Sequence, residues 1–145
     1  MVAKKESDKI EHFSSKDIII SFYGAFLVAA GFLFKGNLLL ISQKLDTLHL
    51  ILILFVTLVI LSAEIYYMGY SRVKNKKERP FVQFLIKRIT TTYLVSLIVC
   101  ITLVLLYNID HIIANGTYYN IVKIVICVSF PASIGATATD LFKKF

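Results

Sequence analysis

Four long apolar runs constrain this chain more than any other feature. They occupy residues 18–34, 47–70, 81–107 and 118–141. A helix needs roughly 17–25 mostly apolar residues to cross a bilayer, and each run has about that length. Short polar stretches separate the runs, so consecutive helices should run in opposite directions. The pattern predicts an all-α protein, a four-transmembrane-helix antiparallel bundle with polar tails at residues 1–17 and 142–145.

The composition excludes several other classes of protein. Of the 145 residues, 57% are hydrophobic and 17% are charged, and the mean hydropathy is +0.75. A soluble domain averages roughly 45–50% apolar and about 25% charged residues. A domain of this size has too small an interior to hide the excess from water. A soluble enzyme, a disordered chain and a secreted disulfide scaffold are therefore poor fits.

The distribution of Lys and Arg predicts how the bundle is oriented. Of 16 basic residues, 13 lie in the N-terminal tail, in the stretch from Arg72 to Arg88, or at the C-terminus. The remaining three are Lys35, Lys44 and Lys123. Because cytoplasmic flanks carry the excess of positive charge, both termini are predicted to be cytoplasmic, in a multi-pass protein of the plasma membrane. We attribute the net charge of +7 to these flanks and expect no nucleic-acid partner.

The connections between the runs carry their own signals. Residues 38–41 are an apolar island between polar positions, and we expect this island to lie in the membrane interface. Pro80 suits the first turn of the third span, where its missing N–H is not needed. Asn115 and Gly116 predict a tight turn before the fourth span. The basic stretch from Arg72 to Arg88 is expected to contact anionic lipid headgroups.

Glu64 is the residue that most needs an explanation. It follows the apolar part of the second span, where a bare carboxylate costs up to roughly 2.5–3.5 kcal/mol at the bilayer centre and less near the interface. In the antiparallel bundle four other charged residues approach the same leaflet: Asp17, Lys87, Arg88 and Asp140. We predict a cluster of Glu64 and Asp140 with Arg88 or Lys87, roofed by the tyrosines after Glu64. This cluster is either an ion-pair network that fixes helix register or a cation or proton site.

Small residues predict where the helices approach closely. Gly24 and Gly31 lie seven residues apart on one stripe of the first span, and Ser133 and Gly135 follow Pro131 in the fourth. Transmembrane helices associate through such small residues. The alternative is that these residues line a polar path, with a hinge at Pro131, which removes one backbone hydrogen bond.

Hydroxyl-bearing residues form a mildly polar stripe on the third span. Thr92, Ser96 and Cys100 follow one another at intervals of one turn. Most such hydroxyls bond back to the preceding turn of their own helix, although a pore lining is the other interpretation.

Signatures of catalysis and metal binding are missing from the sequence. It has no GxSxG, HExxH or paired-aspartate pattern, and its three histidines are scattered. Cys100 and Cys127 lie inside apolar runs, so we interpret them as small core residues. We therefore expect no enzyme, no metal and no cofactor.

Two segments resemble a known family. They are Ala-Glu-Ile-Tyr-Tyr-Met-Gly-Tyr at residues 63–70 and Phe-Pro-Ala-Ser-Ile-Gly-Ala at residues 130–136, with Asp140 downstream. Together they resemble a family of small prokaryotic integral membrane proteins of unknown function. In that family an acidic residue followed by aromatics ends one helix, and a Pro-Ala-Ser-x-Gly-Ala run with a later Asp closes another. The resemblance implies a multi-span protein of a bacterial or archaeal plasma membrane and no particular activity.

Two functional hypotheses follow from the sequence. The first is an ion or proton-coupled small-solute channel or transporter subunit, acting as a homo-oligomer and using the intramembrane carboxylate of Glu64. The second is a non-transporting membrane scaffold or interaction subunit whose basic loop meets anionic lipid or a partner.

Overall fold

The structure, a computed structural model, describes residues 15–69, 81–112 and 117–142, and these residues are almost entirely helical. Four helices are long and apolar enough to cross a membrane. They are α1 (Ser15–Lys35), α3 (Thr47–Glu64), α4 (Phe81–Leu106) and α6 (Tyr118–Phe142), and two short helices, α2 (Asn37–Lys44) and α5 (Ile109–Ile112), lie between them. The prediction of an all-α protein with four spanning helices is confirmed.

Contacts between helix ends fix the direction of each span. The rings of Phe34 and Tyr107 meet with centroids 5.3 Å apart, so α1 and α4 end on the same side of the bundle. Thr47 Oγ1 lies 2.8 Å from Tyr119 Oη, so α3 and α6 begin on that side. We call this side the Lys123 end, and we call the opposite side, where α1 and α4 begin, the Glu64 end.

Helix α6 is the centre of the bundle. It packs against α1 over the longest interface and also contacts α2, α3 and α4. Over half of its spanning window is buried (56%), compared with 22% for the window of α3. Helix α3 therefore lies at the edge of the bundle, and most of its apolar side chains face outward, as expected for lipid contact.

Glycines allow α1 and α6 to approach closely. A Cβ added to Gly24 would meet the carbonyl oxygen of Gly135 and the side chain of Thr139, and one added to Gly135 would lie 2.5 Å from Val28 Cγ2. A Cβ added to Gly31 would meet nothing within 4 Å. The expected glycine stripe therefore does not pack along its whole length, because the two helices meet closely near Gly24 and not one heptad further on.

A left-handed residue separates α1 from α2. Gly36 has φ 70°, a value that glycine adopts without the steric penalty that a side chain imposes. Helix α2 then buries Leu39 and Ser42 against the bundle and leaves Leu40 and Ile41 exposed. The apolar island predicted at residues 38–41 thus forms part of a short amphipathic helix.

The second span changes its backbone pattern at Glu64. The α-helix ends there and continues as a π-helical segment, Ile65–Gly69, so the predicted run to residue 70 is not one regular helix. Helix α6 passes through Pro131 and continues to Phe142. The predicted N-terminal tail up to residue 14, the loop at residues 70–80, the Asn115-Gly116 turn and the last three residues lie outside the described residues.

Candidate functional site

Glu64 lies at the junction between α3 and the π-helical segment. Leu61, about one turn earlier, and Ile65, the next residue, are fully buried. Because residues three apart share a helix face, Glu64 lies on the same side as Leu61 and points toward the bundle. Glu64 Oε2 is buried and has no hydrogen-bond partner among the described residues. Glu64 as a whole is partly exposed, so the fold shields one oxygen of the carboxylate and supplies no donor for it among the described residues.

The π-helical segment gives Glu64 an unusual backbone. Hydrogen bonds that reach one residue further widen the helix, and such single turns occur frequently at functional sites. The segment contacts α4 and α6, and it carries Tyr66 and Tyr67, whose rings meet edge to face with centroids 5.2 Å apart. Tyr67 is 72% exposed and Tyr66 is 44% exposed. This exposure is typical of an interfacial aromatic belt. Tyr70, the third tyrosine of the predicted roof, lies outside the described residues, so the roof over Glu64 stays a prediction.

The other predicted members of the cluster all lie at the Glu64 end. Asp17 on α1 and Arg88 on α4 are buried, with 8% and 5% exposed, and each makes an interaction within the structure. Lys87 is exposed, as expected for a lysine at the headgroup level. Asp140 belongs to the last turns of α6, but its side chain lies outside the described part. The fold therefore brings two buried charged groups and Glu64 to one end, and the complete cluster remains a prediction.

Most hydroxyl groups inside the spans bond to their own helix. The acceptor is a carbonyl oxygen three or four residues earlier, at 2.6–2.9 Å, for Thr57, Ser62, Thr91, Ser96, Thr102, Ser129, Ser133, Thr137 and Thr139. Such bonds satisfy the hydroxyl and create no binding site. The Ser96 hydroxyl on the predicted α4 stripe belongs to this group.

Two buried hydroxyls depart from that pattern. Ser21 is 0% exposed and Thr92 is 1% exposed, yet neither hydroxyl oxygen has a hydrogen-bond partner among the described residues. Both lie toward the Glu64 end, on two helices that pack together. The sequence placed Thr92 on a polar stripe but gave no reason to single out Ser21. A buried serine without a partner is visible only from the packing.

Lys123 is buried at the Lys123 end, although the sequence analysis counted it among the charges that flank the spans. Lys123 is only 8% exposed. Its Nζ donates to the carbonyl oxygen of Gln43 at 3.4 Å and lies 4.6 Å from the centroid of the Tyr119 ring. The carbonyl and the aromatic face both compensate the charge. This lysine therefore fastens α2 to α6.

An apolar layer fills the half of the bundle toward the Lys123 end. Its members share near-complete burial and come from α1, α4 and α6: Ala29, Leu33, Val99, Leu103, Val104, Ile124 and Val128. Cys100 and Cys127 are buried beside this layer as free thiols. Their burial agrees with the interpretation of both as small core residues. Among the described residues, buried charged and hydroxyl groups thus lie at the Glu64 end, and the apolar layer lies beyond them.

Metal coordination has no support in the described ranges. Within residues 15–69, 81–112 and 117–142, no group of three or more His, Cys, Asp or Glu side chains is placed to hold a metal ion. The described buried polar groups at the Glu64 end are two carboxylates, a guanidinium and hydroxyls.

Comparison with known proteins agrees with this architecture. Residues 2–142 match the family model DUF2391, described as "Putative integral membrane protein". The chain belongs to this family. The match extends over all four spans, well beyond the two segments that carried the resemblance in the sequence. The chain matches no curated protein and no solved structure.

Proposed function

We propose that this DUF2391 protein is a transport subunit that takes up a proton or another cation at Glu64. The observation that carries the proposal is the buried Oε2 of Glu64, which has no hydrogen-bond partner among the described residues. Ionisable residues inside membrane spans commonly mark ion and proton pathways. A carboxylate oxygen buried at such a position without a donor among the described residues is better suited to binding a ligand than to supporting the fold.

Energetics support reversible binding at this position. Glu64 lies three residues before Tyr67, the last residue of the spanning window, which is about 4.5 Å along a helix. The cost of its charge is therefore below the roughly 2.5–3.5 kcal/mol of a central carboxylate. A proton or cation that binds there removes the cost, and a short path to the membrane surface allows it to leave again.

The remaining members of the predicted cluster adjust the charge around this site. We expect Asp17 and Arg88, both buried at this end, to set the local potential around Glu64, with Asp140 and Lys87 closer to the membrane surface. Passage beyond the site requires the apolar layer to open. Pro131 supplies a place for such a motion, because its missing N–H leaves the carbonyl of Cys127 without its usual helical donor.

The surplus of positive charge supports a particular orientation. We propose that the Glu64 end faces the cytoplasm, with both termini on that side, in the plasma membrane. The basic residues from Arg72 to Lys87 would then lie against anionic headgroups, whereas Arg88, which the sequence assigned to the same stretch, is buried on α4. Because one four-helix bundle with a packed interior offers little room for a pore, we propose that the active form is a homo-oligomer.

Ion flux into proteoliposomes tests the proposal. Proton and sodium uptake are measured for the wild type, for Glu64→Gln and for Asp46→Asn, a matched control that changes an exposed acid at the Lys123 end. We expect Glu64→Gln to reduce uptake to that of protein-free vesicles, while Asp46→Asn transports normally. Equal uptake by wild type and Glu64→Gln would remove the basis of the proposal.

The tight α1–α6 contact favours a second candidate function. A bundle in which glycine backbones touch and an apolar layer fills the core is also what a non-transporting scaffold requires. We propose no catalytic role in either case, because the described part of the site holds no nucleophile with an adjacent base. The scaffold becomes the better description if the wild type shows no uptake of either ion. Neutralising Lys74, Lys76 and Lys77 should then weaken binding to anionic vesicles.

A further inference from the structure

The hydroxyl of Thr92 is directed away from its usual acceptor. In a membrane helix this hydroxyl normally donates to the carbonyl oxygen four residues earlier, that of Arg88. Thr137, which is equally buried, does so with Ser133 at 2.9 Å. Thr92 Oγ1 is buried and has no partner among the described residues. A buried hydroxyl that makes no hydrogen bond lowers the free energy of unfolding, unless a bound ligand supplies the missing hydrogen bond.

Arg88 gives this face of α4 a fixed positive charge. It lies one turn before Thr92 and is only 5% exposed. Its guanidinium remains charged and can only donate hydrogen bonds. The residue already makes an interaction within the structure, and its guanidinium carries five N–H donors in all. A donor-only nitrogen beside a hydroxyl suits a ligand with negative charge and acceptor atoms.

Helix α1 supplies a second hydroxyl at the same end. Ser21 is fully buried on a helix that packs against α4, and its Oγ has no partner among the described residues. It lies six residues into its span and Thr92 lies seven residues into its own, which is about 9 Å and about 10.5 Å along the two helices. Asp17, one turn before Ser21, makes an interaction of its own. Both unsatisfied hydroxyls therefore lie in the half of the bundle that contains Arg88.

We propose that α1 and α4 bind a small monovalent anion at the Glu64 end, between the hydroxyls of Ser21 and Thr92 and the guanidinium of Arg88. This inference rests on the proposed function in one respect. The anion is the solute that crosses together with the cation taken up at Glu64. A proton on Glu64 and an anion beside Arg88 enter as a neutral pair, which avoids the cost of moving a single charge into hydrocarbon.

Thermal unfolding of the purified protein in detergent tests the site directly. Sodium chloride or sodium formate replaces sodium gluconate stepwise at constant ionic strength. A ligand that binds only the folded state raises Tm with its concentration. We expect about 3–6 °C for each tenfold increase in anion concentration above Kd. Thr92→Val and Ser21→Ala should abolish this rise, whereas Thr137→Val and Ser133→Ala, which alter buried hydroxyls with partners of their own, should retain it.

The outcomes separate this inference from the proposed function. No rise of Tm with chloride or formate in the wild type overturns the anion site, as does an unchanged rise in Thr92→Val. Glu64→Gln should keep the anion-dependent rise while losing ion uptake. Loss of uptake in Glu64→Gln without any anion effect on the wild type would leave the cation site standing and remove the anion. An anion effect with unchanged uptake in Glu64→Gln would refute the proposed cation site and the coupling, and leave an anion-binding protein.

Discussion

Replacing Thr92 by valine should make this protein more stable when no small anion is present. Valine has almost the volume of threonine, and the site is 1% exposed, so the substitution removes a hydroxyl without leaving a cavity. Thr92 Oγ1 has no hydrogen-bond partner among the described residues. The folded state of the wild type therefore loses the solvation of this hydroxyl and gains nothing in return.

The magnitude follows from the cost of an unsatisfied buried polar group, which is about 1–3 kcal/mol. The free energy of unfolding of Thr92→Val should rise by about that amount. Thr137→Val is the matched control, because Thr137 is also 1% exposed but donates to Ser133. Losing that hydrogen bond should lower the free energy of unfolding by about 0.5–1.5 kcal/mol. The same chemical change at two buried positions should thus have opposite signs.

Unfolding with SDS in mixed micelles, extrapolated linearly to zero denaturant, measures both variants. Sodium gluconate serves as the only salt, so that no small anion stabilises the wild type. If Thr92→Val is destabilised as much as Thr137→Val, the Thr92 hydroxyl has a partner within the protein. The reasoning that leads to the anion site would then lose its main support.

Two further predictions concern the glycines and the cysteines. Gly24→Ala should destabilise the protein by about 1–3 kcal/mol through its contact with α6, and Gly36→Ala by about 1 kcal/mol through its positive φ. Gly31→Ala has neither problem and should stabilise α1 by up to about 1 kcal/mol. Thermal unfolding of the three variants checks this order, and a loss at Gly31 equal to that at Gly24 would contradict it. Cys100 and Cys127 should react with maleimide only after unfolding, and rapid labelling of the folded protein would show that the apolar layer admits water.

The number and type of the spanning helices were predictable because few backbone structures are stable in the hydrocarbon of a bilayer. A run of about 20 apolar residues in a bilayer has to satisfy its own backbone, and an α-helix does so. The starts of α3 at Thr47 and of α6 at Tyr118 coincide with changes from polar to apolar sequence. The π-helical segment after Glu64 was not predictable, because no local signal in residues 65–69 separates it from an α-helix. The break after the first span was predicted, but the helical form of the following segment, α2, was not.

The candidate site was only partly predictable. Charged residues in an apolar sequence stand out, so Glu64, Asp17 and Arg88 could be assigned to one end from the alternation of helix directions. Ser21 and Thr92 could not be separated from the other hydroxyls, because the distinction depends on whether each one bonds back to its own helix. Lys123 was assigned to a flank because only the packed structure shows Gln43 and Tyr119 beside it.

The pairing of α1 with α6 has a consequence for biosynthesis. The first span emerges from the ribosome long before its main partner, since 82 residues separate Lys35 from Tyr118. Since synthesis adds roughly 5–20 residues per second, α1 stays in the translocon or the bilayer for on the order of 4–16 s before the synthesis of α6 begins. During that interval Asp17 and Ser21 lack the surroundings that bury them in the finished bundle. Insertion of the last helix is therefore the step that commits this protein to its native arrangement, and insertases or chaperones that shelter polar spans should act on it before that step.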